Sequence, residues 1–324
     1  MSQDIFVLIE QQDGTVSESS FELLGKARQL AGTGGGNAVA IVLGDGVEGI
    51  AGQLGAADQV IAVNSPSLAN FTPSGYVAAL TPILQERGPL LTLCPNSAVG
   101  MDTAAGLSGA LGWPLAAYAV NVVIDDGTPL ITSQLYGGKV NIESSVEGEH
   151  CLVTASAGSF PADEGKKEGS PAVEVVAYQG DTGGISFSKL IVPEGGDVDI
   201  TKADVLVSVG RGIGDGDDIE ILDELAEALG GAVSASRPVV DAGWLPKSRQ
   251  VGKSGQTVKP KLYLAVGISG APEHLEGMRD ADLIVAINQD AAAPIFSIAD
   301  YGVVGDLFDV IPELTERVKA RAEA

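Results

Sequence analysis

The chain is poor in cysteine, histidine and basic side chains. Its 324 residues include 2 cysteines, 2 histidines and 19 lysines and arginines, against 43 acidic residues. Cys94 and Cys151 form no CxxC pair, so reduced thiols are expected in place of a disulfide framework or a metal site. Because nucleic-acid backbones are bound by clustered cations, this composition argues against a nucleic-acid partner.

Long apolar runs are also missing. Gly, Asn or Asp interrupts every candidate run, so the sequence predicts a protein that is not embedded in a membrane. The first residues, MSQDIFVLIEQQDG, lack the basic region and cleavage site of a signal peptide and predict a β-strand instead. Together these absences favour a cytoplasmic location.

The acidity itself is extreme, with a formal net charge of −24. It allows two interpretations, a general surface adaptation to high salt or a dedicated acidic docking face. Acidic residues occur along the whole chain and form no single block. This distribution favours salt adaptation, as in a halophilic organism.

The residues that are abundant indicate an α/β protein. Apolar residues make up 45% of the chain and 43 residues are glycine, which suits many tight turns between strands and helices. A capping box at Ser19–Glu22 predicts the start of the first helix. Strands that alternate with helices predict a mainly parallel sheet in an N-terminal domain. The predicted strands are Asp4–Glu10, Ala38–Leu43, Gln59–Asn64, Pro89–Cys94 and Ala117–Ile124.

The pattern changes twice further along the chain. From Asp125 to Leu190 short alternating strands predict an antiparallel extension of the first sheet, with an exposed loop at Gly158–Gly169. The segment Val192–Asp204 is rich in Pro, Gly and Asp and predicts a domain boundary. We therefore expect an N-terminal α/β domain over residues 1–195 and a second domain over residues 200–324.

The second domain restarts the alternation of strand and helix, which predicts a Rossmann-like, doubly wound fold. Helices are predicted at Asp217–Leu229, which ends at Gly230, and at Pro312–Ala324. The predicted strands are Val205–Val209, Ala232–Ala235, Leu262–Val266 and Leu283–Asn288.

Glycine and arginine follow the ends of these strands. Gly210-Arg211 follows the first strand, Ser236-Arg237 the second and Gly267–Gly270 the third, while the fourth ends at Asn288. In an open parallel sheet the carboxyl ends of the strands line one crevice. Glycine lets the backbone approach a ligand and arginine pairs with phosphate, so the pattern predicts a site for a phosphate-bearing cofactor without identifying it.

A resemblance identifies the cofactor more closely. The stretch Ser234–Phe308, with SASRPVVDAGW, QVGKSGQ, LYLAVGISGAPEHLEGM and INQDAAAPIF, resembles the flavin-binding domain of the electron-transfer flavoprotein alpha subunit (FixB-like) family. The first domain resembles the family more loosely, for example at Gly55–Val60. The resemblance implies FAD in the second domain. The residues that it places at FAD are Arg211, Ser236, Arg237, Gln250, Gly252, Ser254, Gly255, Gly267, Ser269, Gly270, Glu273, His274, Asn288 and Asp306.

The resemblance also implies roles around the flavin ring. Arg211 would contact FAD from the first glycine turn, and Arg237 would lie over the isoalloxazine ring and favour its reduced, anionic form. The loop Gln250–Gly255 would bring the Ser254 hydroxyl to the flavin N5 region. His274 would donate to the flavin C2 carbonyl.

The remaining predicted contacts lie at the other end of FAD. Ser269 and Gly270 would belong to the phosphate and ribityl turn, and Asn288 and Asp306 would lie at the adenosine end. Glu273 stands where the family commonly has Gln. Its carboxylate is expected to raise the pKa of His274 or lower the flavin potential.

The function implied by the resemblance is electron transfer without a catalytic side chain. The chain would pair with a beta subunit that carries AMP or a second FAD, and its N-terminal domain would contact that subunit. It would accept electrons from flavoprotein dehydrogenases, such as the acyl-CoA dehydrogenases of fatty acid β-oxidation, and deliver them to a membrane quinone oxidoreductase. Two alternatives stay open at this point: a bifurcating subunit of a complex that oxidises NADH, and a redox-silent nucleotide-binding module.

Overall fold

The chain divides into two compact units, residues 1–189 and 190–324. The computed structural model describes residues 3–136, 138–146, 148–180, 182–189 and 198–322. The predicted boundary at Val192–Asp204 begins in 190–197, outside the described residues, so a boundary at 195–200 stays a prediction. Among the described residues, no helix combines the length and apolarity that a bilayer crossing needs.

The first unit is built on a nine-stranded sheet. Its elements in chain order are β1 (Ile5–Ile9), β2 (Gln11–Gln12), β3 (Thr15–Val16), α1 (Glu18–Gly34), β4 (Ala38–Gly44), β5 (Gln59–Asn64), α2 (Pro73–Arg87), β6 (Leu91–Pro95), α3 (Ala98–Leu111), β7 (Leu115–Asp125), β8 (Thr128–Leu135), β9 (Val140–Ser145), β10 (Cys151–Ala155) and β11 (Ala172–Ala177). The strand order is β11-β5-β4-β1-β6-β10-β7-β8-β9, and the short hairpin β2–β3 stands apart.

The predicted mixture of parallel and antiparallel strands is confirmed, with a correction to the stretch after Asp125. Strands β7, β8 and β9 are antiparallel neighbours, as expected of the extension. Strand β10, however, lies between β6 and β7 and is parallel to both, and β11 is parallel to β5 at the opposite edge. Every residue of β10 is buried, which is typical of a strand covered on both faces.

The predicted capping box at Ser19–Glu22 is wrong. Helix α1 begins at Glu18, because the Ser17 hydroxyl accepts a hydrogen bond from the backbone nitrogen of Ser20. Glu22 is buried, and its carboxylate accepts from the Gly158 nitrogen at 2.8 Å. The loop at Gly158–Gly169, predicted to be exposed, is therefore tied to α1 at its start.

Both cysteines are free and buried in the first unit. Burial raises the pKa of Cys94 and of Cys151 to about 12. Since the thiolate is the reactive form, these buried side chains pack as small apolar groups.

The second unit has a five-stranded parallel sheet. Its elements are β12 (Val205–Val209), α4 (Glu220–Ala228), β13 (Ala232–Ala235), α5 (Arg237–Asp241), β14 (Leu262–Val266), α6 (Pro272–Leu275), β15 (Ile284–Asn288), β16 (Tyr301–Val304) and α7 (Leu307–Ala322). The strand order is β13-β12-β14-β15-β16, so the direction of winding reverses between β12 and β14.

Both faces of this sheet are covered, as a doubly wound fold requires. Leu222 and Leu225 of α4 and Ile311 of α7 are buried on one face. Val258 and Met278 are buried on the other. Burial on both faces explains why the strands are nearly continuous apolar runs.

The second unit departs from the prediction at its C-terminal end. Strand β16 was not predicted, since its four residues are exposed at the edge of the sheet and show no alternation of apolar and polar positions. Helix α7 begins at Leu307, earlier than the predicted Pro312. The reason is Asp306, whose carboxylate accepts a hydrogen bond from the Phe308 nitrogen at 2.9 Å and so caps the helix.

Candidate cofactor site

A cavity of about 700 Å³ lies at the carboxyl ends of strands β12 to β15. It includes the point between β12 and β14 where the winding reverses, which is where doubly wound folds bind their ligands. Most of the predicted site residues meet there. The predicted residues that line it are Arg211, Ser236, Arg237, Gly252, Ser254, Gly267, Ser269, Glu273, His274 and Asn288.

The floor of the cavity is made by two turns that touch through their glycines. The Gly210 nitrogen donates to the Val266 carbonyl at 2.8 Å, and the Gly212 nitrogen donates to the Gly267 carbonyl at 3.1 Å. A Cβ atom on Gly210 would lie 2.2 Å from the Gly267 oxygen, and Gly267 itself has φ +63°. The backbone can approach this closely only because side chains are absent.

The loop that carries Ser254 is held from behind by Gln250. Gln250 is buried, and its amide nitrogen donates to the Ser254 hydroxyl at 2.9 Å. A Cβ atom on Gly255 would lie 2.3 Å from the Gln250 carbonyl oxygen. Gln250 and Gly255 therefore do not line the cavity; they fix the position of Ser254 at its wall.

A second glycine joins this loop to helix α6. Gly252 has φ +130°, and a Cβ atom there would lie 2.7 Å from the Glu273 carbonyl oxygen. The Lys253 nitrogen donates to the same carbonyl at 2.7 Å. The serine loop and the helix that carries His274 are thus one hydrogen-bonded wall.

Both cations and carboxylates line the cavity, and Asp290 is one of the carboxylates. Arg211, Arg237 and Lys253 line it together with the carboxylates of Asp241 and Glu273. Arg237 Nε lies 3.3 Å from Asp241 Oδ2, with both side chains more than half exposed. Because exposed ion pairs contribute little, Arg237 can turn to an anionic group in the cavity at small cost.

His274 is a buried polar side chain at the wall of the cavity. It is 7% exposed, and its Nε2 lies 2.9 Å from the hydroxyl oxygen of the fully buried Tyr263. Its Nδ1 is buried and has no hydrogen-bond partner among the described residues. Burial lowers the pKa of His274 to about 4, and the Val251 carbonyl, which lies near the ring but outside hydrogen-bonding geometry with Nδ1, opposes this only in part. At neutral pH the imidazole is therefore uncharged.

Of the two expectations for Glu273, this geometry does not support a raised pKa of His274, and a lower flavin potential stays a prediction. Its carboxylate lines the cavity beside His274, yet the pKa of His274 is lowered, because the desolvation of the ring outweighs other effects. Tyr263 is the functional candidate that the sequence analysis missed. Its only signal was a single hydroxyl inside the apolar strand LYLAV.

Three other predicted residues have structural partners. The Asn288 amide nitrogen donates to the Ile268 carbonyl at 2.9 Å, which ties the end of β15 to the third glycine turn. A Cβ atom on Gly270 would lie 2.3 Å from the Ile295 nitrogen. Asp306 caps α7 and accepts from Gln289 at 2.9 Å, away from the cavity wall. Their contacts with a cofactor stay predictions.

Acid is expected to destabilise the protein through His274. Between pH 6.5 and about pH 4, the imidazole of the unfolded chain takes up a proton, whereas the buried ring of the folded protein stays neutral. Stability therefore falls as the pH falls through this window, by about 3 kcal/mol at most. Urea unfolding of His274→Asn should show a smaller loss between pH 7 and 4 than the natural protein. His150→Asn is the matched control, and equal losses in all three proteins would contradict a neutral, buried His274.

The fold and the cavity together define a class of protein. A parallel, doubly wound sheet offers bare backbone, two arginines and an unpartnered imidazole nitrogen at its switch point. These features fit a large nucleotide cofactor with anionic and hydrogen-bonding groups. The second unit is thus a cofactor-binding domain.

The comparisons with known proteins specify that class. Residues 199–279 match the family described as the electron transfer flavoprotein FAD-binding domain, and residues 5–179 match the electron transfer flavoprotein domain. The chain is 37% identical to the electron transfer flavoprotein subunit alpha of Thermoanaerobacterium thermosaccharolyticum, over 98% of each chain. It is 35% identical to Protein FixB of Clostridium saccharobutylicum, over 97% of this chain and 96% of the relative.

A third relative has a different name. The acryloyl-CoA reductase electron transfer subunit beta of Anaerotignum propionicum is 34% identical, over 98% of this chain and 96% of its own. Because both family models match and the relative from Thermoanaerobacterium covers 98% of the chain, the chain belongs to the electron transfer flavoprotein alpha subunit (FixB) family. Its second unit is the FAD-binding domain of that family.

Proposed function

We propose that this chain holds one FAD in the cavity of its second unit and passes electrons from a flavoprotein dehydrogenase to a membrane quinone oxidoreductase. The observation that carries the proposal is the buried, unpartnered Nδ1 of His274 in a cavity whose floor is bare glycine backbone. A buried polar atom without a partner is costly, so its natural explanation is a bound group that supplies one. The match of residues 199–279 to the family's FAD-binding domain supports FAD as that group.

In this proposal the cofactor supplies the redox chemistry and the side chains bind and orient it. Arg211 and Arg237 offer positive charge at the cavity, and the turns at Gly210 and Gly267 offer backbone. Ser254, held by Gln250, offers one hydroxyl at a fixed position. No side chain makes or breaks a bond, so the chain has no catalytic residue of its own.

The partners follow from the family. Membership implies an electron transfer flavoprotein beta subunit, and we propose that the first unit contacts it and that it carries AMP or a second FAD. The relative named as an electron transfer subunit of acryloyl-CoA reductase supports a redox partner that acts on an acyl-CoA. We propose on this basis that the chain acts in the cytoplasm, in fatty acid β-oxidation.

Co-expression with the beta subunit tests the proposal. The purified complex should be yellow, contain one FAD per heterodimer and keep its colour in NADH. Two flavins with bleaching by NADH would replace the proposal with a bifurcating complex. A folded but colourless complex would replace it with a redox-silent nucleotide-binding module.

We also propose that the net charge of −24 is an adaptation to salt. The screening length shrinks from about 10 Å at 0.1 M to about 3 Å at 1 M salt, which relieves repulsion between surface carboxylates. The midpoint of thermal unfolding should therefore rise across this range, and FAD should be retained better at the upper end. A midpoint that stays the same or falls would contradict the adaptation.

A further inference from the structure

Another cavity, of about 490 Å³, lies in the first unit between helix α1 and the loop at Gly158–Gly169. The side chains that line it from the helix are Lys26, Arg28 and Gln29, and those from the loop include Phe160, Glu164 and Lys167. None of these residues belongs to the cofactor site of the second unit.

The loop is fixed to the helix by close packing of the backbone. The Glu22 carboxylate accepts a hydrogen bond from the Gly158 nitrogen at 2.8 Å. A Cβ atom on Gly25 would lie 2.9 Å from the Gly165 nitrogen, and one on Gly165 would lie 1.9 Å from the Phe21 carbonyl oxygen. Because the loop can lie this close to the helix only where side chains are absent, the cavity is a fixed part of the folded unit.

Basic residues are concentrated at this cavity in a unit that has few of them. The lysines and arginines of residues 1–189 are Lys26, Arg28, Arg87, Lys139, Lys166, Lys167 and Lys189. Three of them line the cavity, together with a single carboxylate, that of Glu164. In a chain with a net charge of −24, a concave surface lined by cations is where an anion is attracted.

Lys26 is the cation of this cavity that lacks a counter-ion. It is half-buried, its Nζ donates to Oε1 of Gln29 at 3.0 Å, and the same Nζ lies 5.3 Å from the centre of the Phe160 ring. Among the described residues it forms no ion pair, and burial lowers the pKa of its ammonium group. A half-buried charge without a counter-ion is unfavourable, and a bound anion would remove that cost.

The other two cations are held in exposed ion pairs. Arg28 lies 2.9 Å from Asp58, and Lys167 pairs with Glu164. The four side chains are between 40% and 60% exposed. Because exposed pairs contribute little to stability, both cations can turn to an anion in the cavity at small cost. The cavity therefore offers N–H donors from the helix and from the loop.

We propose that this cavity binds a small organic molecule through a phosphate monoester group. A phosphate group presents three acceptor oxygens in different directions, which suits cations that come from two walls, whereas the two oxygens of a carboxylate lie in one plane. The volume falls in the range of small-molecule sites, about 300–1,000 Å³, and Phe160 offers an apolar surface to the organic part. This inference does not depend on the binding of FAD.

Titration calorimetry of the complex with the beta subunit tests the proposal, with phenyl phosphate as the probe. Phenyl phosphate should bind more tightly than inorganic phosphate and more tightly than benzoate. Lys26→Gln should weaken its binding at least about tenfold, because a charge-assisted hydrogen bond is lost. Lys139→Gln removes an exposed lysine of the same unit and is the matched control, which should bind as the natural protein does.

Chemical labelling of the natural protein locates the site without a variant. Phenyl phosphate should protect Lys26 and Lys167 from acetylation by acetic anhydride, measured by mass spectrometry, and leave Lys139 equally reactive. Absence of binding, equal binding by Lys26→Gln and the natural protein, or acetylation of Lys26 that the probe does not slow would overturn the proposal. Benzoate or inorganic phosphate bound as tightly as phenyl phosphate would overturn the assignment to a phosphate monoester.

Discussion

Gly210→Ala is expected to abolish the retention of FAD. The new Cβ atom would lie 2.2 Å from the Gly267 oxygen and 2.7 Å from the Ile268 Cα atom, both of them backbone. The turn after β14 must then move away, which disturbs the bond from the Gly210 nitrogen to the Val266 carbonyl at 2.8 Å. Overpacking of this kind costs about 1–3 kcal/mol in a well-packed region.

The effect on the cofactor should exceed the effect on stability. These two turns form the cavity floor, so a shift of one of them alters the surface that the cofactor contacts. We expect the flavin content after co-expression with the beta subunit, measured by visible absorbance per protein, to fall at least about tenfold. That corresponds to about 1.4 kcal/mol of binding.

Gly305→Ala is the matched control in the same unit. Its Cβ atom would meet only Val310 Cγ2, at an ordinary contact distance of 3.6 Å. This variant should keep the flavin content of the natural protein. Equal flavin content in Gly210→Ala and Gly305→Ala would show that the cavity floor does not bind the cofactor.

Arg237→Gln should lower the reduction potential of the bound FAD. The guanidinium lines the cavity, and a positive charge favours a flavin that gains an electron before its proton. Because the side chain is more than half exposed, solvent reduces its effect well below that of a buried charge. We expect a decrease of about 60 mV for one electron, which corresponds to about 1.4 kcal/mol.

Asp241→Asn removes a negative charge at nearly the same place, so its effect on the potential should have the opposite sign. Asp241 pairs with Arg237 and also lines the cavity, so removal of its charge should raise the potential or leave it unchanged. Potentiometric titration of the complex with the beta subunit measures both variants. An unchanged or raised potential in Arg237→Gln would contradict the placement of the flavin ring beside this residue.

Much of the fold could be predicted, because buried parallel strands are apolar runs that glycine turns separate. The observed bounds of the strands that carry the cavity, for example β12 and β14, agree with the predicted bounds within a residue or two. The prediction placed strands β10 and β11 in the wrong part of the sheet. A sequence pattern indicates that a strand is present, but it does not indicate which strand lies beside it. Strand β16 was missed because its exposed residues lack a periodic pattern.

The site residues that could be predicted are those whose role depends on their neighbours along the sequence. Glycine at Gly210 and Gly267 and arginine after the strands can be recognised from the sequence alone. Tyr263 could not be recognised, because it is hydrogen-bonded to Ser208 and His274, 55 and 11 residues away along the chain. Asp306 was predicted to bind adenosine, and helix capping explains its presence without a ligand.

The proposed function requires a redox-active FAD in the second unit. The most direct measurement is the visible spectrum of the complex with the beta subunit during reduction by an acyl-CoA dehydrogenase and its substrate. The flavin spectrum should bleach on reduction and return on addition of a quinone oxidoreductase and quinone. A folded complex that binds no flavin, or a bound flavin that no dehydrogenase or chemical reductant bleaches, would contradict it.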